Sequence, residues 1–224
     1  MNVTKDQTGE MMKEHDLRLL LVELGASLFE RGFSVGSAGN ISVRLDDGYL
    51  MTPTNSSLGR LDATRLSKLD HEWNHISGDK PSKEVFMHRA VLKARAQAGA
   101  VVHLHSTYAT AISCLQPSHS DMPIMPLTPY FVMRIGRKLP IIPYYRPGDG
   151  AMEKEIYDAA KTASSMLLAN HGPVISGKTL TDAVYAAEEL EESARLSLML
   201  QNQDIRKLTQ EQIDDLLTVF QDKI

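Results

Sequence analysis

The chain has 224 residues, 42% of them hydrophobic, and a formal net charge of −4. That length and apolar content suit one buried core and one domain. The mild acidity supplies no basic face, which argues against nucleic acid or an anionic membrane as the main partner.

The single cysteine, Cys114, excludes an intrachain disulfide framework, fits a reducing compartment and reads as a small buried apolar residue. The polar amino terminus lacks the apolar stretch of a secretory signal, and no later run is long enough to span a bilayer, so a cytoplasmic protein is expected. Residues 1–10 read as a flexible tail before a domain over residues 11–224.

In chain order, Leu17, Leu20, Leu21, Leu24 and Leu28 recur at helical spacing, and Gly32 ends that helix. "NISVRL" and "YLMTP" then alternate as strands about the turn "DDG". "SKEVFMHRAVLKARAQAG" predicts a helix ending at Gly99, followed by the strand "AVVHLHS", the helix "TYATAISCL" and a Pro-rich stretch. "LPIIPYY" reads as a strand, "GAMEKEIYDAAKTA" as a helix, and "SMLLANHG" with "PVISG" as a strand pair. A long helix, "TLTDAVYAAEELEESARLSLML", and a shorter one, "TQEQIDDLLTVFQ", complete the chain. Strands and helices alternate irregularly with a few hairpins, which predicts a mixed α/β layer architecture.

Two motifs invite the wrong chemistry. "GPVISGKT" fits the letters of a phosphate loop, but Val174 and Ile175 are β-branched where a phosphate nest wants small residues. No apolar strand ending in a magnesium-binding Asp follows, and Thr179 with Asp182 serves as a helix start. "HEWNHISG" has the His-Glu-x-x-His order of zinc proteases, and Leu66, Leu69, Trp73 and Ile76 permit a helix there. Pro81 nevertheless stands where the extended protease pattern places its third histidine, and a polar strand and turn is the plainer reading.

"VVHLHS" is the stronger metal signal. Side chains alternate along a strand, so His103 and His105 project together while Leu104 faces the core. His171, at the end of an apolar strand in "ANHG", can approach from another direction, and three neutral imidazoles are a common catalytic zinc set. Glu84, at the start of the helix leading into "VVHLH", is the candidate base. Taken alone it reads equally as a carboxylate favoured by the helix start or as an i,i+4 partner of His88.

Taken in order, "GSAGNISVR", "MTPTN", "PSKE", "VVHLHS" and "ANHG" resemble the class II aldolase/adducin family over nearly the whole chain. The resemblance implies a single-domain α/β/α fold around a largely antiparallel central sheet, and a homotetramer with active sites between subunits. It implies zinc on His103, His105 and His171, with Glu84 as acid/base and sometimes a fourth ligand. Phosphate recognition would fall to Gly39, Asn40, Thr54, Asn55, Ser82 and Lys83, while Tyr130 aligns with a tyrosine reaching in from a neighbour.

"TPTNSSLGRLD" and "PSKE" are most similar to members that decarboxylate a 3-oxo-tetronate 4-phosphate, a phosphorylated sugar acid. The implied route is metal-dependent loss of CO2 through a metal-stabilised enediolate, which Glu84 protonates to dihydroxyacetone phosphate. A ketose 1-phosphate aldolase passes through the same enediolate and is the alternative. Two departures tilt the reading to decarboxylation: Lys83 replaces the second Ser of the aldolase pattern, and no tyrosine follows Tyr185 to protonate a departing aldehyde. An adducin-like assembly protein is the non-enzymatic alternative, and it need not keep His103, His105, His171 and Glu84 together.

Overall fold

Alternation at period two organises the centre of the chain. The computed structural model describes residues 12–115 and 122–220, so the expected tail over residues 1–10 lies outside the described residues. Its strands are β1 (Asn40–Leu45), β2 (Gly48–Met51), β3 (Ser67–Leu69), β4 (His75–Ser77), β5 (Ala100–His103), β6 (Ile141–Ile142), β7 (Ser165–Leu168) and β8 (Gly172–Gly177). They form one sheet in the order β4-β3-β2-β1-β5-β8-β7-β6. Every neighbouring pair is antiparallel except β6 with β7, so the largely antiparallel α/β/α sheet is as expected.

The helices are α1 (Glu14–Glu30), α2 (Val85–Ala94), α3 (Thr107–Ser113), α4 (Pro129–Ile135), α5 (Glu153–Ala160), α6 (Leu180–Met199) and α7 (Gln210–Val219). Alternate strand residues feed two cores. Leu50, Val102, Leu167 and Ile175 pack with α1, α3, α4 and α6 on one face. Met51, Val101, Met166 and Val174 pack with α2 and α5 on the other. A fully buried Leu or Val of this kind contributes about 1.5–3 kcal/mol, so register and layering are set together. The small residues Ala183, Ala187 and Ala194 lie among the buried positions of α6. Thr179 caps that helix by accepting from the Asp182 N–H at 3.0 Å.

Several expectations are corrected. The helix read as running to Gly99 stops at Ala94, because Arg44 reaches over from β1 and donates to the carbonyls of Leu92 at 2.7 Å and Ala98 at 3.0 Å. The chain therefore turns at Arg95 despite the helix-forming composition beyond it. The Pro-rich stretch contains α4, with Pro129 in its first turn and Thr128 accepting from the Phe131 N–H. Cys114, expected to be buried, is exposed, since α3 turns its Ala109 and Ile112 side to the core and ends one residue earlier.

Both decoys dissolve into hairpins. "GPVISG" is β8, its residues paired with β5 on one side and β7 on the other, leaving no nest of free amides. His71 sits in the turn between β3 and β4 while His75 lies on β4 itself, both exposed and on no common helix. Among the described residues no helix is long and apolar enough to cross a membrane.

Candidate active site

The site forms where β1, β5 and β8 end side by side. Asn40 pairs with His103, and His103 pairs with Val174 on the opposite side. His103 thus stands at the sheet's middle, while extended residues carry His105 beyond it. The loop from β7 to β8 adds His171: Asn170 takes a left-handed φ of 57°, and the His171 N–H donates to Leu168 at 3.0 Å. Close approach requires glycine next to these groups. A Cβ on Gly172 would lie 2.3 Å from the Leu104 carbonyl, and one on Gly39 would lie 2.9 Å from the His103 carbonyl, both at positive φ.

The three imidazoles converge. Nε2 of His105 lies 3.1 Å from Nε2 of His103 and 3.0 Å from Nε2 of His171. Nitrogens at roughly 2.0–2.1 Å from one tetrahedral ion sit about 3.3 Å apart, so the set has the spacing of a metal clamp. Its protonation agrees. His103 Nδ1–H donates to the Pro173 carbonyl at 2.9 Å, which fixes the tautomer and leaves Nε2 as a lone pair aimed at its neighbours. Burial pushes His103 down to about 3 and holds His105 and His171 below the ordinary imidazole range, against the opposing pull of Glu84. With His103 Nε2 an acceptor, all three Nε2 atoms can present lone pairs to one shared cation. The residues present therefore fit a divalent metal, and the described residues contain one such cluster.

Glu84 faces the cluster rather than capping α2, where it makes no side-chain cap hydrogen bond. Its Oε1 lies 3.5 Å from His171 Nε2 and its Oε2 lies 3.6 Å from His103 Nε2. Oε2 also accepts from Asn40 Nδ2 at 2.7 Å. Burial raises the carboxyl, but His103, the Asn40 amide, His171 and His88 outweigh it and leave it below the ordinary carboxylate range. Since burial keeps those imidazoles uncharged at neutral pH, the Asn40 amide is the persistent partner of the ionised form. His88 is not the direct partner of Glu84 that its i,i+4 spacing suggests; it bonds Asn40 and Ser42.

A cavity of about 630 Å³ opens above these groups. Gly39, Asn40, Thr54, Asn55, Ser82, Lys83, Glu84, His105 and His171 all line it, while His103 lies buried. Two segments of the wall are tied together, the Thr54 N–H donating to Lys80 at 2.9 Å and the Ser82 N–H to Thr52 at 3.3 Å. Tyr130 is not part of this wall; it stands 61% exposed on α4.

Sequence reasoning missed Tyr144 and Tyr145, which line the cavity from the loop after β6, and Thr110, which donates to the His171 carbonyl at 3.3 Å. It also missed Glu191, whose buried carboxylate accepts from Ser106 Oγ at 2.7 Å and from the N–H groups of Tyr108 at 2.7 Å and Ala109 at 2.8 Å. The available signal was an acid in register with Ala187 and Ala194 on the buried stripe of α6. Glu191 anchors the chain directly after His105. Glu191→Ala is expected to cost on the order of 3 kcal/mol by stranding three donors. Chemical denaturation checks this, and a loss below about 1 kcal/mol would show that water replaces the carboxylate.

A sheet-centred histidine clamp with one facing carboxylate, set in a polar cavity, is the architecture of a metal-site α/β fold whose sheet is mostly antiparallel. The chain belongs to the class II aldolase and adducin family: the family described as Class II Aldolase and Adducin N-terminal domain matches residues 20–198. A 3-oxo-tetronate 4-phosphate decarboxylase of Haemophilus influenzae is 54% identical over 198 residues, covering 88% of this chain and 94% of that protein. An L-fuculose phosphate aldolase of Methanocaldococcus jannaschii is 34% identical over 181 residues, covering 80% and 93%. The crystal structure of YgbL from Klebsiella pneumoniae matches with a TM-score of 0.88 at 50% identity, covering 92% of this chain and 99% of that one.

Proposed function

We propose that the chain is a carbon–carbon lyase that removes CO2 from a 3-oxo-tetronate 4-phosphate and leaves dihydroxyacetone phosphate. The observation that carries the reading is Glu84 Oε1, 3.5 Å from His171 Nε2, on the wall of a cavity that also presents Lys83. High identity to a named decarboxylase, against lower identity to an aldolase, supports the choice between the two chemistries.

The substrate's ketone lies β to its carboxylate, so the electrons of the breaking C–C bond move toward the ketone oxygen and the bond's carbon must then take a proton. His103, His105 and His171 would hold the metal, zinc or another divalent transition ion that imidazole accepts such as manganese, cobalt or iron, with Glu84 available as a further ligand. Bound there, a divalent ion supplies Lewis-acid stabilisation of the charge that CO2 leaves behind. Glu84, ionised at rest, takes up a proton from solvent and passes it to the carbon that lost CO2. Gly39, Asn40, Thr54, Asn55 and Ser82 offer the phosphate end a polar cradle, and Lys83 meets the phosphate or carboxylate as a point charge.

The same reading includes a cytoplasmic homotetramer with sites between subunits. Tyr130, exposed and outside its own cavity, is then free to serve a neighbour's site, and light scattering checks the assembly. The adducin-like assembly alternative is disfavoured by the convergence of three imidazoles and a carboxylate, which assembly does not require.

Offered an oxo-tetronate phosphate and a panel of ketose 1-phosphates, the purified protein is expected to yield CO2 and dihydroxyacetone phosphate together from the former. Faster release of dihydroxyacetone phosphate with an aldehyde, from any ketose 1-phosphate, would establish the aldolase instead. Lys83→Ala is expected to raise KM roughly ten- to hundredfold, the worth of a charge-assisted contact, with little change in kcat. A large fall in kcat at unchanged KM would place Lys83 in the chemical step.

A further inference from the structure

Beneath the cavity floor three buried polar side chains of β1 and α2 join in one line. Asn40, Ser42 and His88 are all buried. Asn40 Nδ2 donates to Glu84 Oε2 at 2.7 Å, Asn40 Oδ1 meets His88 Nε2, and His88 Nδ1 lies 2.7 Å from Ser42 Oγ. Ser42 and Asn40 are two apart on β1 and so share a face, while Glu84 and His88 are four apart at the start of α2 and stack along it.

The donors in this line have only one consistent direction. An ionised Glu84 accepts and cannot donate, so Asn40 must turn its NH2 toward it and its carbonyl oxygen toward His88. That oxygen accepts only, so His88 carries its proton on Nε2. Nδ1 is then an acceptor, and the Ser42 hydroxyl donates to it. Burial agrees with a single imidazole proton, since it pushes His88 down to about 4 against the opposing influence of Glu84.

We infer that Ser42, His88 and Asn40 are positioning residues that occupy Oε2 of Glu84 through a one-way donor chain and leave Oε1 as the oxygen that handles the substrate proton. The inference rests on the reading of Glu84 as the acid/base. Without His88, the Asn40 amide loses the donor that anchors its carbonyl oxygen, so its NH2 no longer holds the carboxylate in one place. Glu84 then samples orientations in which Oε1 is out of reach of the substrate carbon. The effect falls on the chemical step, because the changed residues, His88 and Ser42, do not line the cavity and meet no part of the phosphate end.

The test is a double-mutant cycle on the metal-loaded protein. His88→Leu is expected to keep its metal content and its KM while kcat falls roughly ten- to hundredfold, the usual cost of removing a partner that orients a site residue. His88→Gln, whose amide can still donate to Asn40 Oδ1, should recover much of that loss. In a Glu84→Gln background, His88→Leu should cause no further fall. An equal fall in both backgrounds, or a His88→Leu enzyme with wild-type kcat, overturns the inference and makes His88 a packing residue. Should His88→Leu fail to fold, Ser42→Ala takes its place in the cycle with a smaller loss, again absent in the Glu84→Gln background; an equal loss there overturns the inference in the same way. A Glu84→Gln enzyme that turns over like wild type would instead remove the underlying reading of Glu84, an outcome the single mutant alone separates from the other two.

Discussion

Glu84→Gln is expected to fold, retain metal on the three imidazoles and lose about two to four orders of magnitude in turnover, the range for removing general acid–base help. Glutamine keeps the size and can still meet the Asn40 side chain, which now holds Glu84 Oε2 at 2.7 Å. It cannot carry a proton to carbon. The loss can exceed that range if the carboxylate also binds the metal, because neutralising a ligand changes the ion's own charge balance. Phosphate-end binding should survive, since Thr54, Asn55 and Ser82 are untouched. Deuterium gives the decisive readout: in heavy water the wild type should label the carbon that lost CO2, and the mutant should do so far more slowly. Near wild-type turnover would mean that the proton comes from another group, and Tyr130 of a neighbouring copy would be tested next.

The second large effect is loss of the metal. His105→Ala is the cleanest variant, because His105 is only partly buried whereas His103 is fully buried and pairs Nδ1 with the Pro173 carbonyl. Elemental analysis should find about one divalent ion per chain in the wild type and far less in the variant. Removing several kcal/mol of charge stabilisation corresponds to a fall in turnover on the order of a thousandfold or more. His71→Ala and His75→Ala should leave the metal content unchanged, as both residues lie exposed on the β3–β4 hairpin. A folded, fully active and metal-free wild type would end the metal-based mechanism.

What the sequence disclosed and what it hid follow from range. His103 and His105 were legible because strand alternation is local, and Glu84 because it opens the helix feeding that strand. Their meeting with His171 depends on the β5–β8 register, which no window of sequence contains. The premature end of α2 had the same origin: residues 95–98 carry helix-forming side chains, but Arg44, distant in sequence, claims the carbonyls of Leu92 and Ala98. Helix α4 was hidden by the prolines around it, although Thr128 followed by Pro129 is itself a helix start. Ser42, His88 and Glu191 match no motif. Their roles come from the partners that folding brings to them.

The ladder through β1, β5 and β8 also gives a bound ion a part in folding. A one-residue slip of β5 against either neighbour would turn His103 to the opposite face, into the apolar layer beneath α1 and α6. Such a slipped sheet has no clamp. An ion held by the three imidazoles therefore adds its binding free energy to the correctly paired sheet alone and to none of its misregistered competitors. Such an ion would thereby act as a proofreader of strand pairing, and chains refolded with a divalent metal present should reach the native register in higher yield than chains refolded in chelator.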